Sequence, residues 1–522
     1  VIPKAGINRY LERPLESNLW IKKVKRKELW QSIRSLRPQP DFDKSMFKHQ
    51  LACFLLGLAH PQFCFWLDMG TGKTRLTLEL LRYRYLCGEL NRAIIFITSD
   101  KAYPTWAKQI ERFKIDMPFQ LLEGSSVEKW RALEEFGEGL LFVSYPGAVA
   151  MVSERRARKR KNGKKLRVAD DLIERFVNGV HALVMDESTR ASGRDSLTHG
   201  MIKRMGRYIK TRYALAGRPF GRDPTLLFTQ HLLVDGGETL GTTLGLFREA
   251  FFTSKPHPFA RNKWVKQWTF DKSKKKLLSR MIQHRSVTYS AEECIDVPKF
   301  VPMREEVSFP VETQEYYDKA VQAIIASKGN LSVVKNVFLR MRQLSSGFIG
   351  VKNDDTGEKA EVEFSDNPKF DRLMELLEEM PDDRKAVVFY NFTYSGRKID
   401  AACRELKMRP IWLWSGTKDY AQDLHNFENN GSYRVAVVQN QVGAMALDGL
   451  QVANYCFFYE SPVGAIDREQ AERRLRRAGQ KRKVFQYDLL VRGSIDAKIL
   501  TFHAEAEGLM KALLRAPEQV VK

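Results

Sequence analysis

Residues Pro61 to Tyr83 read PQFCFWLDMGTGKTRLTLELLRY, and no other stretch restricts the fold of this chain as much. An apolar run from Phe63 to Leu67 has the length and composition of a buried strand. It leads into Asp68-Met69-Gly70-Thr71-Gly72-Lys73-Thr74, and a helical pattern carrying Leu76, Leu80 and Leu81 follows. Strand, glycine-bearing loop and helix in this order give a phosphate-loop motif its physical meaning. Glycines let the loop curl until its N–H groups face phosphate oxygens, and the helix adds its positive N-terminal end. In that reading Lys73 reaches the β- and γ-phosphates of ATP and the Thr74 hydroxyl holds Mg²⁺. Leu67 stands where the strict pattern has glycine, so the loop is a variant.

Charge narrows the partners. The 522 residues carry a formal net charge of +23, an excess that a polyanion would offset. Hydrophobic content of 43% and charged content of 29% are those of a soluble globular chain of several domains. No apolar run reaches membrane-spanning length, and the start VIPKAGINRYLERP lacks a signal-peptide core. The six cysteines, Cys53, Cys64, Cys87, Cys294, Cys403 and Cys456, show no metal-binding spacing and read as reduced thiols of a cytoplasmic protein.

Upstream of the loop, Gln50 closes the sequence Phe47-Lys48-His49-Gln50. A glutamine amide donates and accepts at once, which suits an adenine edge. Downstream, Arg92–Thr98 and Gly139–Pro146 read as strands, and Tyr103-Pro104-Thr105-Trp106 opens a helix between them. Strands alternating with helices imply a parallel, doubly wound sheet. The segment Glu154–Arg167, including Arg155, Arg156, Lys159 and Arg160, is the densest basic run; a solvated loop and a contact to DNA phosphates both fit it. Val180–Asp186 is a strand ending in acid, followed by Glu187. There Asp186 would position Mg²⁺ and Glu187 would polarise the attacking water. Around Trp264 and Trp268, lysines alternate with aromatics, which fits either nucleic-acid tracking or one packed helix face.

Val311–Leu344 reads as helical, and residues 351–366 as a polar connector. Beyond it, strands at Ala386–Tyr390, Ile411–Trp414, Val435–Val438, Tyr455–Tyr459 and Val484–Leu490 form a second α/β region without a phosphate loop. Gln470–Gln480, reading QAERRLRRAGQ, is an arginine-rich helical pattern. Arg474 and Arg477 are spaced to share one helix face and to stabilise charge on a transferring phosphoryl group.

In this order the motifs resemble those of the superfamily 2 helicase-like motors, and within them the SNF-type branch of double-stranded-DNA translocases. Gln50 resembles the adenine-reading motif, and Met69-Gly70-Thr71-Gly72-Lys73-Thr74 the MGxGKT loop. Thr105-Trp106 resembles the first DNA-contacting motif and Ser144-Tyr145 the strand-ending motif that follows it. Asp186-Glu187 matches the Mg²⁺- and water-handling acids, with Ser188-Thr189 in place of Ala-His. Leu215-Ala216-Gly217-Arg218-Pro219 resembles the coupling motif, with Arg218 where the family has threonine. Val442–Asp448 stands for the fifth motif, with Gly443 and Asp448 in corresponding places but fewer glycines. The segment ending in Gln480 closely resembles QAxGRxHRxGQ. The departures are similar to those of compact viral or mobile-element members.

The resemblance implies an α/β fold of two RecA-like lobes with helical insertions and a small N-terminal extension. The expected divisions are residues 1–45 (extension), 46–290 (first lobe), 291–365 (linker and helical protrusion) and 366–522 (second lobe). It implies a monomeric, DNA-dependent ATP hydrolase that needs Mg²⁺ and moves on double-stranded DNA, branched or forked forms included. Arg474, Arg477 and Gln480 would act on the phosphates from the second lobe. A strand-separating helicase and an ATP-gated nucleic-acid clamp are the alternatives.

Overall fold

The computed structural model describes residues 7, 10–41, 45–157, 164–217, 224–256, 266–294, 300–327, 331–352, 359–443, 449–476, 480 and 482–505. The chain divides into two compact units, Val1–Ile295 and Asp296–Lys522. In the first, seven strands form one parallel sheet: β1 (Gln62–Leu67), β2 (Arg92–Ile97), β3 (Phe119–Leu121), β4 (Gly139–Ser144), β5 (Ala182–Met185), β6 (Thr211–Ala216) and β7 (Ser286–Tyr289). Their spatial order is β7-β1-β6-β5-β2-β4-β3.

Alternate residues of each strand feed two separate cores. Cys64, Trp66, Ile94, Phe96, Leu183 and Met185 face one, while Phe63, Phe65, Ile95, Ile97, Ala182 and Val184 face the other. Helices cover both faces, which is why these strands read as unbroken apolar runs. Among the helices are α1 (Lys48–Ala59), α2 (Lys73–Leu86), α3 (Tyr103–Arg112) and α4 (Tyr145–Met151).

The second unit repeats the plan with six parallel strands: β8 (Phe300–Val307), β9 (Ala386–Tyr390), β10 (Ile411–Leu413), β11 (Val435–Gln439), β12 (Tyr455–Phe458) and β13 (Val484–Val491). Their order is β8-β13-β12-β9-β11-β10. The arginine-rich helix, α5 (Ala465–Leu475), lies between β12 and β13 in the chain. Two RecA-like lobes, each a parallel sheet flanked by helices, are thus the architecture the sequence implies. Among the described residues no helix is long and apolar enough to cross a membrane. All six cysteines are free thiols.

Several segments differ from their sequence reading. The N-terminal stretch does not stand apart from the first sheet. Tyr10 joins one of its cores and Ile21, Leu29 and Ile33 the other. Apolar residues spaced through a basic stretch anchor it to those cores. The basic run is a hairpin, Ser153–Ala157 paired antiparallel with Lys164–Val168, in which Arg155 opposes Leu166 and Arg156 opposes Lys165. Lys159 and Arg160 lie outside the described residues. Trp268 sits on a strand, Lys266–Phe270, paired with Phe252–Pro256, so a helix face is ruled out for it; Trp264 lies outside the described residues. Part of the polar connector also pairs as a hairpin, Phe348–Lys352 with Lys359–Glu363. Within the stretch expected as linker and helical protrusion, described segments pack with the second unit. Phe300–Val307 is an edge strand of the second sheet, and Tyr317, Ile324, Phe338 and Met341 pack with Ile495 and Ile499.

Inside the second unit, Lys369 is 1% exposed, and its ammonium lies 2.7 Å from Asp496 Oδ2. The Ser345 hydroxyl donates to the other carboxylate oxygen at 3.1 Å. Removing one partner of a buried pair strands the other charge, at a cost of about 3–5 kcal/mol. We expect Lys369→Met to destabilise this unit by that order, and Lys369→Met/Asp496→Asn to recover much of the loss. Urea unfolding of the whole chain, read by hydrogen-exchange protection of β13, checks the order of the two variants.

Candidate nucleotide site

The loop between β1 and α2 is built on two glycines in the left-handed region, Gly70 at φ 78° and Gly72 at φ 81°. Side chains avoid that region, so the glycines are what let the loop turn back above the sheet. Thr71 is fully buried and its hydroxyl donates to the Asp68 carbonyl at 2.6 Å. The Lys73 ammonium donates to the Leu67 carbonyl at 2.8 Å and the Asp68 carbonyl at 3.5 Å, at the end of β1. Met69, Gly72, Lys73 and Thr74 are partly exposed, so the side of the loop that would face phosphate is reachable.

Helix α1 braces this loop from outside. The Gln50 amide nitrogen donates to the carbonyls of Thr71 (3.4 Å) and Gly72 (3.2 Å), while its oxygen accepts the Phe47 N–H at 2.8 Å. Gln50 is 1% exposed, and a Cβ on Gly72 would overlap its amide nitrogen. Both ends of the amide expected to read adenine are therefore committed within the chain. His49 adds a second brace that the sequence did not reveal. Its Nε2–H donates to the Thr71 carbonyl at 2.7 Å, and burial lowers its pKa, which keeps the ring neutral.

The two acids follow β5. Asp186 is pushed up to about 7, first by burial and then by the charge of Glu187; Lys73 and a hydrogen bond from Trp106 oppose the shift. Its Oδ1 accepts the Glu187 N–H at 3.0 Å. Glu187 occupies the left-handed region at φ 47°, where a residue with a side chain is held only by its surroundings. Two adjacent carboxylates, one of them buried, are costly without a cation. Together with a hydroxyl at the start of α2 they fit Mg²⁺, which takes a few protein oxygens and the rest from water and phosphate.

Three residues expected to touch DNA are buried. Trp106 is 3% exposed and packs on Phe142. Tyr145 is 4% exposed, and its hydroxyl donates to the Asp186 backbone carbonyl at 2.8 Å. Ser144 is buried and caps α4, accepting the Gly147 N–H at 3.3 Å. The Tyr145 side chain holds the Asp186 segment, and of this motif group only Thr105 is partly exposed. Ser188, in the position the resemblance assigns to alanine, is also buried and donates to Gln230 at 2.8 Å.

In the second unit, α5 ends at Leu475, and Arg476 has left helical geometry. Arg477, expected to share a helix face with Arg474, lies outside the described residues, as does Asp448. Arg474 is buried. The Gln480 amide donates to the carbonyls of Gln451 (2.9 Å) and Ala453 (2.7 Å), so it ties backbone segments together. Gly443 ends a short helix, Asn440–Gly443, after β11.

No family model matches the chain. It is 22% identical over 514 residues to the "DNA repair and recombination protein RAD54-like" of Drosophila persimilis, covering 87% of this chain and 61% of that protein. The RAD54-like protein of Drosophila willistoni is 23% identical over 511 residues, 87% of this chain and 60% of that protein. A shorter similarity, 26% over 170 residues, links 31% of the chain to 14% of the "DNA repair protein RAD5" of Cryptococcus neoformans. The chain thus spans about three-fifths of the length of the curated RAD54-like relatives it matches. Among solved structures, the Sulfolobus solfataricus SWI2/SNF2 ATPase core in complex with dsDNA aligns at 18% identity, covering 93% of this chain and 96% of that one, with a TM-score of 0.39.

Gln50→Leu would leave the Phe47 N–H without its partner and take one donor from each of two loop carbonyls, which keep the His49 ring and the Leu76 N–H; an unpaired buried group costs about 1–3 kcal/mol. If Gln50 acts as a brace, affinity for mant-ATP and mant-GTP should fall together, by about tenfold. A loss confined to the adenine nucleotide would restore the base-reading role.

Proposed function

We propose that this chain is an ATP-hydrolysing motor of the SWI2/SNF2 type that moves along double-stranded DNA. The observation that carries the reading is the pairing of a glycine-turned, braced loop bearing Lys73 with a buried Asp186-Glu187 step close enough for Lys73 to act on the Asp186 charge. The +23 net charge and the similarity over 87% of the chain to RAD54-like proteins support a duplex DNA partner.

In this reading the Lys73 ammonium exchanges the Leu67 and Asp68 carbonyls for the β- and γ-phosphates of ATP. Loop N–H groups and the start of α2 hold the phosphate chain. Glu187 orients the attacking water and takes its proton. Thr74 and Asp186 would hold Mg²⁺, which supplies charge neutralisation on the β- and γ-oxygens. Arg474 and Arg477, with Gly443 and Asp448, are the second unit's own candidates for phosphate and nucleotide contacts. Arg155 and Arg156 of the basic hairpin, with Lys159 and Arg160 of the same sequence run, would offer charge to the DNA backbone, a contact weakened by salt.

Hydrolysis measured with no nucleic acid, duplex DNA, single-stranded DNA and RNA tests the reading. Strong stimulation by duplex alone, with displacement of a third strand from a triplex, is the expected result. Preference for single strands or RNA would favour a strand-separating helicase. Nucleotide-dependent DNA affinity without triplex displacement would favour a clamp. Lys73→Ala should cut turnover by about 10²–10³ and leave salt-sensitive DNA binding in place. Full turnover in that variant would overturn the site.

A further inference from the structure

The phosphate loop opens on a residue that phosphate binding does not call for. Asp68 puts a carboxylate in a loop that would hold ATP, where like charges repel. Its Oδ2 accepts the N–H of Ala291 at 3.1 Å, across 223 positions of chain. Ala291 is 7% exposed, so its N–H needs an acceptor within the protein. The contact continues the sheet past the end of its strands. Leu67 of β1 pairs with Tyr289 of β7, and the Asp68 N–H donates to the Tyr289 carbonyl at 3.1 Å. The Asp68 carbonyl serves the loop instead, accepting the Thr71 hydroxyl at 2.6 Å, the Thr71 N–H at 3.3 Å and the Lys73 ammonium at 3.5 Å. One residue thus joins the loop to Tyr289–Cys294, the last stretch of a unit that ends at Ile295. That stretch is also held from elsewhere. The Ser290 N–H donates to Glu293 Oε2 at 3.0 Å, and the Glu293 N–H to the Ser290 hydroxyl at 3.3 Å. The Lys22 ammonium lies 3.1 Å from both Glu293 oxygens and 4.5 Å from the centre of the Tyr289 ring. With the turn fixed in this way, the Asp68–Ala291 bond depends on where the loop stands.

We propose that Asp68 is a positioning residue through which a nucleotide-filled phosphate loop tightens the turn Tyr289–Glu293, so that occupancy of the loop is felt at the end of the first unit. The inference rests on the reading of the loop as an ATP site and adds a route by which occupancy leaves it. In that reading the Lys73 ammonium turns from the Asp68 carbonyl to the phosphates, and the loop is fixed by the ligand. Repulsion from the phosphates then favours a carboxylate held at the Ala291 N–H over one turned toward them. Binding and the bond strengthen each other by the same factor, as linkage requires.

Amide exchange of the whole chain, resolved at Ala291 by fragmentation mass spectrometry, gives a readout independent of turnover. It is measured without nucleotide and with saturating AMP-PNP and Mg²⁺. Protection of the Ala291 N–H should rise by about tenfold on filling the site, as expected for a hydrogen bond to a charged group, while Leu141 of β4 stays unchanged. Asp68→Ala should abolish the rise. Asp68→Asn keeps an acceptor oxygen without the charge, and a neutral bond of about half the strength leaves a rise of about threefold. Both variants remove the charge, so the difference between them isolates the acceptor: mant-ATP should bind Asp68→Asn about threefold more tightly than Asp68→Ala. No nucleotide-dependent change at Ala291 in the wild type overturns the proposal. So does a rise that survives in Asp68→Ala, which would mean that occupancy reaches the turn by another path. Equal mant-ATP affinity of the two variants overturns it as well. Should Asp68→Ala fail to fold, the wild type and Asp68→Asn still decide, because equal rises in the two would remove the carboxylate's part. A wild-type chain that binds no mant-ATP would remove this inference along with the reading beneath it, whereas the other failures leave that reading standing.

Discussion

The first unit is arranged around the cost of keeping Asp186 ionised away from water. Burial and the neighbouring Glu187 both favour its neutral form; Lys73 and the Trp106 indole favour the charged one. Each participant comes from a different element: Lys73 from the start of α2, Trp106 from α3, Asp186 and Glu187 from the end of β5. A parallel sheet brings these elements together because all of its strands deliver their C-terminal ends to one edge. The strand order puts β6 between β1 and β5, and those two flanking strands carry the phosphate loop and the acids. Fold and candidate chemistry are therefore coupled through a single desolvated carboxylate. Any ligand that adds positive charge beside it relieves an existing penalty, and this is what makes the edge a binding site.

The phosphate loop depends on a second constraint, the need to hold open a backbone shape that few residues adopt. Gly70 and Gly72 permit the shape, but permission alone does not select it. Selection comes from α1, whose His49 and Gln50 take three contacts from the carbonyls of Thr71 and Gly72. The Gly72 carbonyl also accepts the Leu76 N–H, which joins the brace to the first turn of α2. Helix α1 is itself packed against the N-terminal segment, since Ile21 and Ile33 share a core with Leu51 and Phe54. A stretch that reads as a basic extension thus helps to shape the nucleotide loop.

What was legible in the sequence follows from which interactions leave a one-dimensional trace. Strands buried on both faces leave apolar runs, so β1, β2, β4, β5 and every strand from β9 to β13 could be placed from sequence. The loop glycines and the Asp-Glu step leave a trace because their chemistry admits few residue types. Pairing between charged strands leaves none, and the run containing Arg155 and Arg156 forms a hairpin that its composition does not announce. Motif position also misled at Trp106 and Tyr145. Adjacency to a DNA-contacting segment says nothing about which side of the helix a side chain takes, and burial decided both cases. His49 was missed because a lone histidine at the start of a helix has many ordinary explanations.

The arginine-rich helix shows how a charged motif is divided between support and function. Arg468 is buried, bonds to Asp488 on β13 at 3.0 Å through its second amino group and to Glu472 at 2.7 Å, and lies over the Phe458 ring. A guanidinium paired in this way fixes the helix to two adjacent strands of its sheet. Arg473 pairs with Glu469 one turn earlier. Gln480 then closes the segment onto the backbone at Gln451 and Ala453, just beyond the glycine-poor fifth motif. Arg468 and Arg473 are thus neutralised by acids of their own unit. Any movement of the backbone at Gln451 and Ala453 would be felt at the end of this segment through Gln480.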